Sequence, residues 1–172
     1  MTQESEKPGF DTLAVRAGLL RSDFQEHSET LFLTSSFVYK SAAEAARKFA
    51  NEEPGYLYSR FTNPTVTMFQ DRLAALEGAE ACVATSTGMA AIASTVMGLL
   101  KSGDHMISSR SVFGTVVPLF DQICKKFGVE TTWVSASNVD EWRSAVLPNT
   151  RLLFCETPSN PLAEICDIEA LG

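Results

Sequence analysis

Two histidines and four cysteines are the only imidazoles and thiols in these 172 residues. Cys82, Cys124, Cys155 and Cys166 form no Cys-x-x-Cys pair, and neither His27 nor His105 stands at ligand spacing from them, so no metal site is expected. Three of the cysteines lie inside apolar runs and read as small buried hydrophobes. Gly-x-Gly-x-x-Gly and Gly-Lys-Ser/Thr are both missing, which removes the sharpest support for dinucleotide or nucleoside-triphosphate binding. There is no internal repeat, no low-complexity tract and no long run of like charge, which argues against disorder. Basic residues are few: 14 against 21 acidic ones, for a net charge of −7. A broad face for nucleic acid or an anionic membrane is therefore not expected. Met1 to Pro8 is polar and carries no apolar signal core. The longest apolar segment, Met89 to Leu100, is interrupted by Ser94, Thr95 and Gly98 and is too short to span a bilayer. Together with the unpaired cysteines, this points to a reducing cytoplasm.

What is present is enough apolar residue, 45%, for a core of ordinary domain size. From Ala81 onward, apolar runs alternate with helical patterns, the signature of an α/β domain with a mainly parallel sheet. Strands are expected at Ala81–Thr85, His105–Ser109, Glu130–Val134 and Leu152–Glu156. Helices are expected at Gly88–Leu100, Thr115–Phe127 and Val139–Val146. Gly103 and Gly128 fall where helix-ending glycines belong, and Asn138 with Glu141 forms a capping box. A further helix begins after Asn63, with Pro64 in its first turn and Gly78 at its end. Its apolar residues Val66, Phe69, Leu73 and Leu76 share one face. Ser41 with Glu44 opens an Ala-rich helix to about Ala50. Residues 1 to about 40 show little periodicity and read as an extended arm.

Two segments carry the chemistry. Tyr58-Ser59-Arg60-Phe61-Thr62-Asn63-Pro64-Thr65 places a phenol and a guanidinium just ahead of a helix, and a guanidinium fork suits bidentate oxygen recognition. Ala84-Thr85-Ser86-Thr87-Gly88-Met89-Ala90-Ala91 places unpaired helix N–H groups after an apolar run, and a helix N-terminus favours anions. At Gly88 the backbone can approach a phosphate closely, although the pattern alone suits an ordinary strand-to-helix turn as well. Thr87 fits both a phosphate hydroxyl donor and an N-cap. Asn160, in Pro158-Ser159-Asn160-Pro161, fits both a turn and a ligand contact beyond a strand end. His27 and His105 have no partner pattern and read as structural.

These segments, with Ser111-Val112-Phe113-Gly114-Thr115 and Glu156-Thr157-Pro158-Ser159-Asn160-Pro161, resemble the transsulfuration family of Cys/Met-metabolism enzymes that depend on pyridoxal 5′-phosphate (PLP). The likeness runs in order from about Phe10 to the last residue. Within the family it is greatest to sulfhydrylases of O-succinylhomoserine. The resemblance implies a fold-type I α/β enzyme, here an N-terminal arm (1–60) and a truncated, mainly parallel-sheet large domain (61–172). It implies that Gly88, Met89 and Thr87 hold the cofactor phosphate. Tyr58 and Arg60 would reach the phosphate of a neighbouring subunit's cofactor, in a dimer of dimers, with Tyr58 assisting proton transfers. Phe113 would stack on the ring where many relatives have tyrosine, and Asn160 would face the phenolic oxygen.

Phenylalanine keeps the stacking face but loses an acidic hydroxyl. A departing thiolate needs that proton and a departing carboxylate does not, so Phe113 fits an acyl-homoserine substrate with sulfide as nucleophile. Cystathionine γ-synthase and O-acetylhomoserine sulfhydrylase share every motif present. A non-catalytic α/β binding module is the alternative of another class, because the family's Schiff-base lysine and its pyridine-nitrogen aspartate are not among these residues. Lys7, Lys40, Lys48, Lys101, Lys125 and Lys126 stand in no matching setting. The chain reads as the N-terminal portion of the enzyme, expected to be inactive alone.

Overall fold

The structure, a computed structural model, describes residues 8–172. The polar stretch Met1–Lys7, including Lys7, lies outside the described residues. The chain forms two compact units, Met1–Ala84 and Thr85–Gly172. They are taken separately.

In the first unit, the aperiodic arm contains a helix that periodicity did not signal, α1 (Phe10–Arg16). About two turns present too few apolar repeats for a period to show, and α1 draws its support from elsewhere. It packs on α3 (Pro64–Glu77), and the Arg72 guanidinium donates to the Ala17 carbonyl at 2.9 Å. After it, Glu26 ties a turn by accepting the Ser22 hydroxyl and N–H and the Thr30 hydroxyl. Those bonds, led by the Ser22 hydroxyl, lower its pKa to about 2. Helix α2 (Ala42–Phe49) is capped by Ser41, and Glu44 returns to the Lys40 N–H rather than to the cap residue's own. Helix α3 starts and stops as its sequence directs. Asn63 accepts the Thr65 N–H, Pro64 fills the first turn, and Gly78 closes the helix at φ 65°.

The apolar face of α3 is only partly covered. Pro64, Met68 and Ala74 are the buried residues, whereas Phe69 is 57% exposed and Val66 and Leu73 also face outward. An apolar stripe does not say what covers it. Here it borders a groove of about 260 Å³ also lined by Met68, Arg72 and Leu76.

The second unit is a three-stranded parallel sheet in the order β2-β1-β3, with β1 at His105–Ser109, β2 at Glu130–Val134 and β3 at Thr150–Phe154. β1 is buried along its whole length, as a central parallel strand should be. β3 lies two residues earlier than its apolar run suggested, because Thr150 pairs with His105 before an irregularity in register. The expected strand at Ala81–Thr85 does not form. Among the described residues it has no ladder partner, and strand-like sequence without a partner stays irregular.

Helix α4 (Gly88–Leu99) precedes β1. After β1, α5 (Val116–Pro118) runs directly into a π-helical stretch, Leu119–Cys124, where a regular helix was expected. Pro118 brings no N–H to the ladder, and the Lys125 N–H reaches back five residues to the Phe120 carbonyl. Phe120 lies in the core against Phe154 (5.2 Å, edge-on) and Trp133 (5.9 Å, stacked). Helix α6 (Val139–Ala145) is capped by Asn138, and Glu141 accepts from the Asn138 side-chain amide, the Ser135 N–H and Arg110 rather than from the cap residue's own N–H. These donors hold Glu141 below the usual carboxylate range. A last turn, α7 (Ile168–Leu171), packs on α6.

All four cysteines are free. Cys124 and Cys166 are buried, whereas Cys82 and Cys155 are only half-buried. Burial, then the neighbouring Cys155 thiol, pushes the Cys166 thiol up to about 11.

His105 braces the sheet. Its ring is 2% exposed, with Nδ1 2.7 Å from the Thr150 hydroxyl and Nε2 2.9 Å from the Thr132 hydroxyl, so the central strand is tied to both neighbours. Burial lowers its pKa, opposed by Glu130. A histidine held neutral when folded and free to protonate when unfolded stabilises the fold above about pH 6.5 and loses that contribution as pH falls. The melting temperature is therefore expected to drop between neutral pH and about pH 5 more steeply in the wild type than in His105→Gln. Parallel profiles would assign the acid sensitivity elsewhere.

Candidate functional site

In the first unit, Tyr58-Ser59-Arg60 is zipped to the arm. Tyr58 bridges Ser36, the Ser59 N–H donates to the Ser35 carbonyl at 2.9 Å, and the Ser59 hydroxyl donates to the Thr34 carbonyl. Asn63 completes the tie, donating to the Phe32 carbonyl and the Ser59 hydroxyl, each at 3.0 Å. The motif is thus held by its backbone and the Ser59 hydroxyl, while the Tyr58 and Arg60 side chains stay open. Tyr58 is 40% exposed, and the Arg60 guanidinium lies 5.4 Å from the Tyr58 and Phe61 rings. Among the described residues no carboxylate pairs with Arg60. An exposed guanidinium shelved on two rings and left without a counter-ion is suited to an anion.

The second unit brings Gly88, Met89 and Phe113 together. Thr87 caps α4 by accepting the Ala90 N–H at 3.0 Å. That leaves its hydroxyl hydrogen free, so the cap and a donor role are compatible. The Gly88 and Met89 N–H groups have no acceptor among the described residues, and a Cβ on Gly88 would meet nothing within 4 Å. Open donors at the start of a twelve-residue helix fit a phosphate. Phe113 is 46% exposed, so it is not a core aromatic. Its loop is joined to the α4 turn by the Thr115 hydroxyl, 3.2 Å from the Met89 sulfur. It is joined to the end of β3 by the Phe113 N–H, which donates to Glu156 at 2.8 Å. Asn160 is exposed in the loop beyond β3 that the Ser159–Glu164 bonds close, with no side-chain partner among the described residues.

Within the second unit, Gly88, Met89, Phe113 and Asn160 lie toward the carboxyl ends of the strands, where open α/β sheets bind ligands. Nothing in the sequence assigns a role to Glu156 or Thr115, or signals the Ser111–Glu164 contact. Glu156 stood inside a quoted motif, but nothing in its spacing announced a bond to a loop 43 residues away. Among the described residues no three His, Cys, Asp or Glu are grouped to hold a metal ion, and no helix is long and apolar enough to cross a membrane.

The model of the Cys/Met metabolism PLP-dependent enzymes matches residues 11–172. The chain belongs to that family. It is 54% identical over 172 residues to an O-succinylhomoserine sulfhydrylase of Pseudomonas aeruginosa, covering 100% of this chain and 43% of that protein. An L-methionine gamma-lyase of Fusobacterium nucleatum is 43% identical over 169 residues, with 98% and 43% covered. Among solved structures, metB of Corynebacterium glutamicum aligns with a TM-score of 0.84 at 35% identity, over 95% of this chain and 41% of its own. A structure from Campylobacter jejuni, described as an O-acetylhomoserine (thiol)-lyase, carries a pyridoxyl-lysine-phosphate. It aligns at 0.86 and 29% identity, over 95% and 40%. The chain thus spans about 43% of the length of the curated relatives it matches. The α/β fold with its parallel sheet and the PLP cofactor follow from this membership.

Proposed function

We propose that the chain is the N-terminal part of an O-succinylhomoserine sulfhydrylase, which replaces the succinyl group at the γ-carbon with sulfide to give homocysteine. The likeness to the Pseudomonas protein over the whole chain is the observation that carries this reading. When bound, PLP supplies the electron sink that makes hydrogens next to the substrate amine labile. The chain's own residues bind and orient it. The Gly88 and Met89 N–H groups and the Thr87 hydroxyl take the phosphate, Phe113 offers a ring face, and the Asn160 amide donates to the phenolic oxygen. Arg60 and Tyr58 serve the phosphate of a second subunit, so residues 1–60 act as an arm and the enzyme works as a dimer of dimers.

Methionine gamma-lyases stand among the similar proteins and act on a thioether. Phe113 favours the acyl ester over that reaction, since the carboxylate leaving group needs no proton donor. The full-length protein is expected to form homocysteine from O-succinylhomoserine and sulfide faster than it eliminates methanethiol from methionine. Phe113→Tyr should leave the first activity within about threefold and raise the second. Collapse of the acyl-homoserine reaction without any gain on methionine would refute the leaving-group argument. A wild-type preference for methionine would replace the proposed substrate.

A further inference from the structure

The Phe113 ring lies outside both hydrophobic clusters of the second unit, and nearly half of it is exposed, so packing does not fix its direction. Its backbone must. On one side the Phe113 carbonyl accepts the Val116 N–H at 2.8 Å, which is a local turn. On the other side its N–H has one acceptor, the Glu156 carboxylate at 2.8 Å. The last paired residues of β1 and β3 are Ser108 and Phe154, after which the two chains part. Glu156 stands two residues beyond that point and closes the gap with its side chain. The Ser111 hydroxyl donates to Glu164 and reinforces the same junction. The Thr115 hydroxyl, on the far side of Phe113, reaches the sulfur of Met89, whose N–H is one of the open donors of α4.

We propose that Glu156 is a positioning residue for the cofactor ring. By accepting the Phe113 N–H from the end of β3, its carboxylate sets the platform on which the ring stacks and holds that platform in register with the Gly88–Met89 turn. This deepens the PLP reading of the site and rests on it. Glu156 itself touches neither substrate nor cofactor in this role. It acts through Phe113, and the requirement is for an acceptor oxygen at the reach of a four-atom side chain. A bond from N–H to an ionised acceptor is stronger than a neutral one, while glutamine keeps both the reach and an acceptor.

The test uses the full-length protein as wild type, Glu156→Ala and Glu156→Gln, each stripped of cofactor and titrated with PLP. The readouts are the apparent dissociation constant, the visible circular dichroism per bound PLP (which reports ring orientation) and the melting temperature without cofactor. Glu156→Ala is expected to bind PLP about tenfold more weakly and to lose about half or more of the dichroic band, whereas Glu156→Gln stays within about threefold. Melting temperatures without cofactor should agree within about 3 °C across all three, as for a half-buried residue outside the core. Wild-type affinity and dichroism in the alanine variant would overturn the proposal. So would a glutamine variant no better than alanine, or a cofactor-free alanine variant that melts far below wild type. Wild-type protein that takes up no PLP would bring down the proposed function, and this inference with it.

Discussion

Full-length protein carrying Arg60→Ala is expected to lose most of its PLP on dialysis, while Arg143→Ala keeps its complement. Both side chains are exposed, but their circumstances differ. Arg143 is satisfied by Asp140 at 2.7 Å, one turn away on α6, and an exposed pair of that kind contributes little. Arg60 has no carboxylate partner among the described residues and lies over two aromatic rings that limit its rotamers. A charge-assisted bond to phosphate contributes about 1.5–3 kcal/mol, or roughly ten- to hundredfold in retention. The effect is expected to be intermolecular. Mixing Arg60→Ala subunits with subunits defective in the Gly88 turn should restore about one intact site per mixed dimer, if each site draws Arg60 from its neighbour. Equal PLP content in dialysed Arg60→Ala and Arg143→Ala samples would remove Arg60 from the site.

Chain 1–172 treated with PLP and borohydride is expected to show no stoichiometric label on any single lysine, and no sulfhydrylase turnover. In the second unit Lys101 follows α4, a twelve-residue helix of about 18 Å whose other end is Gly88. Lys125 lies 3.8 Å from Glu130 at the entry of β2, and Lys126 adjoins it, whereas the phosphate donors stand with the loops at the strand exits. In the first unit Lys48 is held by Glu44 at 2.7 Å, and both the hydrogen bond and that charge keep its pKa raised. A lysine kept protonated is a poor amine nucleophile. Peptide mapping that finds one lysine of the chain fully labelled, together with turnover, would show that the nucleophile lies within these residues.

The parts legible in the sequence were those with a local cause. Asn63, Pro64 and Gly78 set both ends of α3 through their own backbone preferences, and the Thr87 hydroxyl caps α4 within three residues. The strands β1 and β2 were legible because the apolar runs that form them are bounded by turn residues on both sides. The parts that escaped depend on partners far along the chain. Ala81–Thr85 has strand composition but no ladder, and the outward side of α3 is apolar without a described cover. The site divides in the same way. Gly88, Met89 and Arg60 are candidates from a helix start and a guanidinium just ahead of another helix, whereas the clasp between Glu156 and Phe113 exists only once β1 and β3 lie side by side.

Asn63 and Asn160 share a neighbour with a chemical consequence. Asparagine ages by attack of the following residue's amide nitrogen on its side-chain carbonyl, which closes a ring that opens to aspartate or isoaspartate. Pro64 and Pro161 carry no N–H, so that ring closure is blocked at both sites. At Asn63 the change would exchange two donated bonds, to the Phe32 carbonyl and the Ser59 hydroxyl, for a charge facing that carbonyl. At Asn160 it would turn the amide donor assigned to the cofactor into an anion. Asn51, Asn138 and Asn149 are followed by Glu52, Val139 and Thr150 and lack this protection. The slow chemistry of an old protein is thereby steered away from the two amides on which the arm and the proposed site depend.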